Sequence, residues 1–114
     1  MTLFPEEVRN LLPPLYSQEH ETDPMVICTF FHPLSTMTWY AIEGSPVDAD
    51  GYYDTDKEKV DFLFFGWVYS DFPELGYFSL SEMQAVRVMG LGIERDLHFQ
   101  PKRLSEVKKE HGDP

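Results

Sequence analysis

One cysteine, Cys28, is present, which excludes an intrachain disulfide and a thiolate zinc cluster. No stretch approaches the ~20 apolar residues that a membrane helix requires. The first ten residues carry no basic segment ahead of an apolar one. Both observations lead to the expectation of a cytoplasmic protein. Basic side chains are scarce: 9 Lys and Arg stand against 20 Asp and Glu, a formal net charge of −11. Such a surface repels the phosphate backbone that supplies most nucleic-acid affinity, so direct DNA or RNA binding is not expected. A basic protein partner suits the charge better, although acidity also serves solubility. There is no Gly-x-Ser-x-Gly elbow and no phosphate-cradling glycine loop; Gly90 and Gly92 flank Leu91 after a helix, the wrong setting for one. No cofactor and no metal is expected.

What is present is enough for a core. The 114 residues are 42% hydrophobic and 15% aromatic, which predicts one domain over 1–114 rather than a disordered acidic chain. The charge is uneven. Residues 1–86 hold 15 acidic and 3 basic side chains, whereas residues 87–114 hold 5 and 6. Asp48, Asp50, Asp54, Asp56, Glu58 and Asp61 fall in one loop, 48–61, relieved only by Lys57 and Lys59.

Periodicity predicts the elements. Leu3–Leu12 reads as a short helix, with Pro5 at its first position, Glu6 and Glu7 at the positive end of the dipole, and Val8, Leu11 and Leu12 as its docking stripe. Met25–His32, Thr38–Glu43 and Phe62–Tyr69 read as strands. The second should end at Gly44-Ser45-Pro46. The third is apolar on both faces and hence central, and Gly66 within it marks a bulge or a close backbone approach. Ser79 and Glu82 form a capping box for a helix running through Val88 to a Gly90 cap. Leu91–Phe99 reads as a strand with Ile93, Arg95, Leu97 and Phe99 on one face. Residues 105–114 form a last short helix and a frayed C-terminus. The fold class is therefore α+β: a mainly antiparallel sheet of about four to five strands with two or three short helices packed against it.

Several groupings hold side chains capable of chemistry. The acidic loop does not fit an EF-hand in either register: with Gly51 sixth, the twelfth residue is Lys57, and with Asp48 first, the sixth is Tyr53. It reads as a solvated, mobile loop and as the partner-binding surface, through Asp48, Asp50, Asp54, Asp56, Glu58 and Asp61. Glu94, Asp96 and His98 share the other face of the last strand and are the catalytic candidates, with His32 the remaining histidine placed to complete a metal or acid–base site. Arg95 on the inward face requires a carboxylate, and Glu74, Glu82 or Asp71 can supply a structural ion pair. Cys28, mid-strand among apolar neighbours, reads as an inert core thiol. Trp39, Tyr40, Phe64, Phe65, Trp67 and Tyr69 have no basic residues among them and read as core rather than as a stacking platform.

Two C-terminal blocks carry a family resemblance: Phe72-Pro73-Glu74-Leu75-Gly76-Tyr77-Phe78-Ser79-Leu80-Ser81-Glu82, then Gly92-Ile93-Glu94-Arg95-Asp96-Leu97-His98-Phe99. With the Thr38-Trp39-Tyr40 strand, Phe65-Gly66, Pro5-Glu6-Glu7 and Leu15-Tyr16, the chain resembles the family of unknown function DUF2958 over nearly its whole length. It departs at Phe4, where that family often has a Thr or Ser cap, and in the longer, more acidic 48–61 loop. The resemblance carries over no catalytic residue. It implies a context, that of accessory genes on bacterial plasmids, conjugative elements and phages.

Three roles follow as expectations. The first is a non-enzymatic acidic protein that binds a basic nucleic-acid-binding partner, in its most specific form a DNA-mimic inhibitor of a host defence (CRISPR or restriction) protein. The second is a small metal- or acid/base-dependent enzyme using Glu94, Asp96 and His98. The third is a structural or regulatory module of a plasmid or phage assembly, recognised by an apolar patch.

Overall fold

The computed structural model describes residues 2–112. The fold is α+β, as the periodicity predicts. A five-stranded antiparallel sheet has the order β5-β4-β3-β2-β6, built from β2 (Cys28–Phe31), β3 (Thr38–Val47), β4 (Asp61–Tyr69), β5 (Glu74–Ser79) and β6 (Glu94–Arg95). A separate two-stranded ribbon joins β1 (Met25–Val26) to β7 (Lys102–Arg103). Three short helices complete the described residues: α1 (Glu6–Arg9), α2 (Leu80–Ala85) and α3 (Leu104–Glu110).

The sheet is covered on both faces. On one, Phe30, Trp39, Ala41, Phe62, Phe64 and Phe78 pack with Phe4, Leu12, Met83 and Ile93. Phe64 lies at the centre, its ring stacked on Phe78 at 5.1 Å and edge-on to Phe4 at 4.9 Å. On the other, α3 lays Leu104 and Val107 over Ile42, Trp67 and Val26. This two-sided burial is why β4 reads as apolar on both faces from Phe62 to Tyr69.

The strand most different from expectation is β3. It does not stop at Gly44-Ser45-Pro46 but continues to Val47. A bulge makes this possible: Ala41 pairs with Gly66 and Glu43 with Phe65, so Ile42 is the extra residue. Beyond Ala41 the strand has no β2 partner, and Pro46, which lacks an N–H, sits on that open edge. Gly66 is the close approach that its position in the strand suggested. A Cβ there would lie 1.9 Å from the Tyr40 carbonyl oxygen, so only glycine fits opposite the bulge.

Other boundaries moved for local reasons. In α1, Pro5 is the N-cap, and Leu11 is exposed while Phe4 takes the core position expected of the stripe. The Met25–His32 strand divides at Ile27, whose N–H donates to Ala41 O. Strand β5 does not stand out in the sequence, because it is an edge strand that buries only Phe78 and Ser79 and merges with the following capping sequence. Ser79 does cap α2, accepting from Glu82 N–H, but Glu82 takes the Ser79 hydroxyl rather than reaching back to backbone. The helix stops at Ala85, not Val88. Val88 and Leu91 exchange both backbone hydrogen bonds around Met89 and Gly90, each with positive φ. Gly90 therefore serves a tight hairpin turn and not a helix cap. The expected Leu91–Phe99 strand contracts to Glu94–Arg95 because Asp96 accepts the N–H of His98 and turns the chain. Ile93, Leu97 and Phe99 consequently share no face: Ile93 enters the first core, Phe99 packs beside the second, and Leu97 is exposed.

Replacing Phe64 by Ala should cost about 3–5 kcal/mol, read as a lowered urea midpoint. Gly66→Ala should be worse tolerated than Gly76→Ala in the same assay, because nothing lies within 4 Å of a Cβ at Gly76.

Candidate functional site

The best-formed concavity, about 390 Å³, lies between the sheet face under α3, the segment 16–24 and strand β5. Its position follows from the bulge. Strict alternation along β3 would send Glu43 to the same side as Trp39 and Ala41, into the phenylalanine core. The extra residue reverses the parity, so Ile42 and Glu43 both serve the α3 side, with Phe65 opposite Glu43. Glu43 is 4% exposed, and its two oxygens accept the N–H groups of Tyr16 (2.9 Å) and Gln18 (2.7 Å). Leu15 N–H donates to Ser45 Oγ, and Gly44 N–H to Pro13 O. Four bonds thus fasten residues 13–18 along β3.

This fastening holds Tyr16 at φ +70, a conformation that a tyrosine adopts only when its surroundings enforce it. Its ring is turned outward between Tyr53 (5.6 Å) and Tyr77 (6.4 Å), and Tyr77 meets Phe65 at 5.0 Å. The result is a row of rings running from the acidic loop to the cavity, and Tyr53, Tyr16 and Tyr77 are all exposed. The Tyr77 phenol is pushed up to about 12, first by the adjoining Tyr16 side chain, then by burial and by Glu43 and Glu19 nearby. The cavity walls carry Glu19, Glu21 and Glu43 against one cation, Lys108.

The opposite end of α3 is latched by aromatics. His111 Nε2 lies 2.6 Å from the Tyr40 hydroxyl and the ring stacks on Tyr69 at 3.8 Å. Asp23 fixes the start of α3 by accepting the N–H and hydroxyl of Ser105. The helix tip expected to fray is therefore held as far as His111, while residues 113 and 114 lie outside the described residues.

The acidic loop is pinned by hydrogen bonds at both of its ends. Asp48, 2% exposed, accepts the N–H groups of Asp50 and Tyr52 and the Thr55 hydroxyl, which keep its carboxyl below the usual value of 3.8. Asp61 accepts from the Phe62 and Ser81 N–H groups and from the Ser81 hydroxyl, so it helps cap α2. Both are thus engaged inside the molecule. Asp50, Asp54, Asp56 and Glu58 remain exposed, with Asp50 paired to Lys57 at 2.8 Å.

The Arg95 ion pair does not form among the described residues. Arg95 Nε donates instead to Leu3 O, while Glu82 holds Ser79 and Glu74 is exposed at the start of β5. The physical reason is position: β6 is the sheet edge beside the N-terminal segment, whose carbonyl is the nearer acceptor. Glu94, Asp96 and His98 are not gathered into a cavity together. Asp96 shares a shallow groove with His32, Thr29 and Tyr40, whereas Glu94 and His98 are exposed outside it. His32 cannot complete a pair with His98 in this arrangement. It is buried, Leu34 N–H donates to its Nδ1, and its Nε2–H donates to Leu91 O. No cluster of three or more metal-ligating side chains occurs among the described residues. Cys28 is buried in the first core, and burial pushes its thiol up to about 12. None of the described helices is long and apolar enough to cross a membrane.

Glu43, Tyr16 and Tyr77 were not singled out in the sequence. The available signal was a glutamate directly following Ile42 in a strand flanked by buried positions, which requires either a parity change or a buried charge.

Replacing Glu43 by Leu should destabilise the fold by about 2–4 kcal/mol through loss of two charge-assisted bonds, with hydrogen exchange accelerating first at the Tyr16 and Gln18 amides. Acidification should loosen α3. Burial holds the His111 imidazole below its usual value of 6.5, against the upward pull of Glu110, so folding favours the neutral ring. Its contribution is complete above pH 6.5 and is lost as pH falls through the lowered folded value. The Trp67 indole resonance should follow this loss, and His111→Phe should remove the pH dependence while keeping the stack.

No curated protein and no solved structure matches the chain at a significant level. A family model described as a protein of unknown function does match, over residues 3–110, the two C-terminal blocks included. The chain belongs to the DUF2958 family.

Proposed function

We propose that this protein is a non-catalytic binding protein that engages a basic protein partner through the aromatic row Tyr53–Tyr16–Tyr77 and the carboxylates beside it. The observation that carries this reading is the exposure of those three rings in one ordered line. Exposed tyrosines with fixed geometry are the side chains that contribute most at protein interfaces, because they bury large area with little loss of rotamer freedom. Tyr52, next to Tyr53 in the chain, is also 60% exposed. The charge around the row selects a cationic partner and speeds its approach. A loop serving only solubility has no need of a buried carboxylate, and Asp48 gives this one a defined shape that a partner can recognise.

In its most specific form the partner is a nucleic-acid-binding protein of host defence, and the exposed carboxylates Asp50, Asp54, Asp56 and Glu58 occupy a groove built for phosphates. This form agrees with the mobile-element context that the family resemblance implies. Affinity should then fall steeply with salt, as it does for phosphate contacts.

The test is copurification from the native host, with mass spectrometry of what is bound at low and high salt. A partner retained by the wild-type protein and lost from a Tyr53→Ser/Tyr77→Ser variant supports the proposal. Retention by that variant, or recovery of no partner, overturns it. Neutralising Asp50, Asp54, Asp56 and Glu58 together should abolish binding in the mimicry form, whereas survival of binding leaves only the aromatic contact.

A further inference from the structure

We propose that the cavity beside Glu43 receives one arginine side chain of the partner, its guanidinium entering between the tyrosines and the glutamates. This rests on the protein-binding reading and gives it a chemical anchor.

The argument starts from charge. Glu43 is almost wholly buried, yet no cation lies within 4 Å of it among the described residues, where the only ion pairs are Lys57–Asp50 and Lys102–Glu110. Backbone amides satisfy one acceptor site on each of its oxygens and leave its negative charge without a counter-ion. Buried charges are ordinarily paired. Glu19 and Glu21 add two carboxylates to the same walls. The one wall cation, Lys108, places its ammonium 5.8 Å over the Trp67 ring rather than on Glu43. The cavity therefore keeps an excess of negative charge in a partly enclosed setting, where a cation gains more than at an open surface.

The remaining walls say which cation. Tyr16, Tyr77 and Phe65 present ring surfaces, and Ile42, Leu75 and Leu104 present aliphatic ones. A planar guanidinium stacks on aromatic faces, sheds its weakly held water more readily than an ammonium, and offers five N–H donors to acceptors on several sides. The three methylenes of arginine match the aliphatic wall. At about 390 Å³ the cavity lies at the lower end of the range for small-ligand sites, room for a side chain rather than a large cofactor.

The test uses N-acetyl-arginine N-methylamide as the probe and the citrulline counterpart, the same shape without the charge, as the control. Both are titrated into the full chain, and amide shifts of Tyr16, Gln18 and Tyr77 are followed by NMR. The arginine probe should bind about tenfold or more tightly than the citrulline one, the ratio expected of one desolvated cation–π contact with local charge. Lys108→Gln should tighten arginine binding a few-fold, and Glu21→Gln and Tyr77→Leu should each weaken it. Neither of the last two residues makes a bond that fastens the 13–18 segment, so both variants should fold. Equal response to the two probes, or no saturable response at these amides, overturns the assignment. That outcome leaves capture of a partner through Tyr53 and the acidic loop intact. Conversely, saturation by arginine with no partner recovered sinks the protein-binding reading and not the cavity's preference.

Discussion

The arrangement of the candidate site depends on one irregularity, the single extra residue at Ile42 where β3 faces Gly66. With it, Ile42 reaches α3 and Glu43 reaches the backbone of residues 16 and 18. Without it, a carboxylate would enter a core of phenylalanines, at a cost of several kcal/mol that no neighbouring cation offsets. The missing side chain at Gly66 is the other half of the same device, because the bulged strand comes too close for any Cβ. Sheet register, the position of the 13–18 segment and the left-handed Tyr16 all follow from this local change of parity.

A second theme is how this chain uses its acidity. Glu43, Asp48, Asp61, Asp23 and Asp96 each accept backbone N–H groups at a turn, a helix start or a strap. Loops without regular structure leave donors unpaired, and a carboxylate is the strongest acceptor a side chain can offer them. Part of the net charge of −11 is therefore architectural. What remains exposed is spread over the surface from Glu6 to Glu110, and it includes Asp50, Asp54, Asp56 and Glu58 in the loop that carries the exposed Tyr53.

The fold class, the central position of β4, the special role of Gly66, the inert thiol of Cys28 and the Ser79 cap were all legible in the sequence, because each depends on periodicity or on a local hydrogen bond. The extent of β3 was not. Gly44-Ser45-Pro46 has the composition of a turn, and pairing with β4 on one side and the bonds from residues 13–15 on the other keep it extended. Helix α2 was read too long because Val86 and Val88 keep an apolar rhythm that the Met89-Gly90 turn uses for a hairpin. Arg95 was expected to need a carboxylate, but its Nε donates to a backbone carbonyl 92 residues away in the chain. The cavity escaped notice because its walls come from five separate segments. No local pattern encodes a change of parity in one strand meeting a strap from another part of the chain.

The ribbon that pairs Met25 with Arg103 and Val26 with Lys102 has a consequence for the order of assembly. Strands β2 to β5 form an up-and-down meander of near neighbours, which closes with little loss of loop entropy. The cavity cannot exist at that stage. Two of its walls, Leu104 and Lys108, arrive only with the last segment of the described chain, and that segment is anchored through Asp23 and the ribbon to residues near the start. A nascent or shortened chain without that segment thus lacks two walls of the cavity, so that a complete cavity reports that the two distant ends have met.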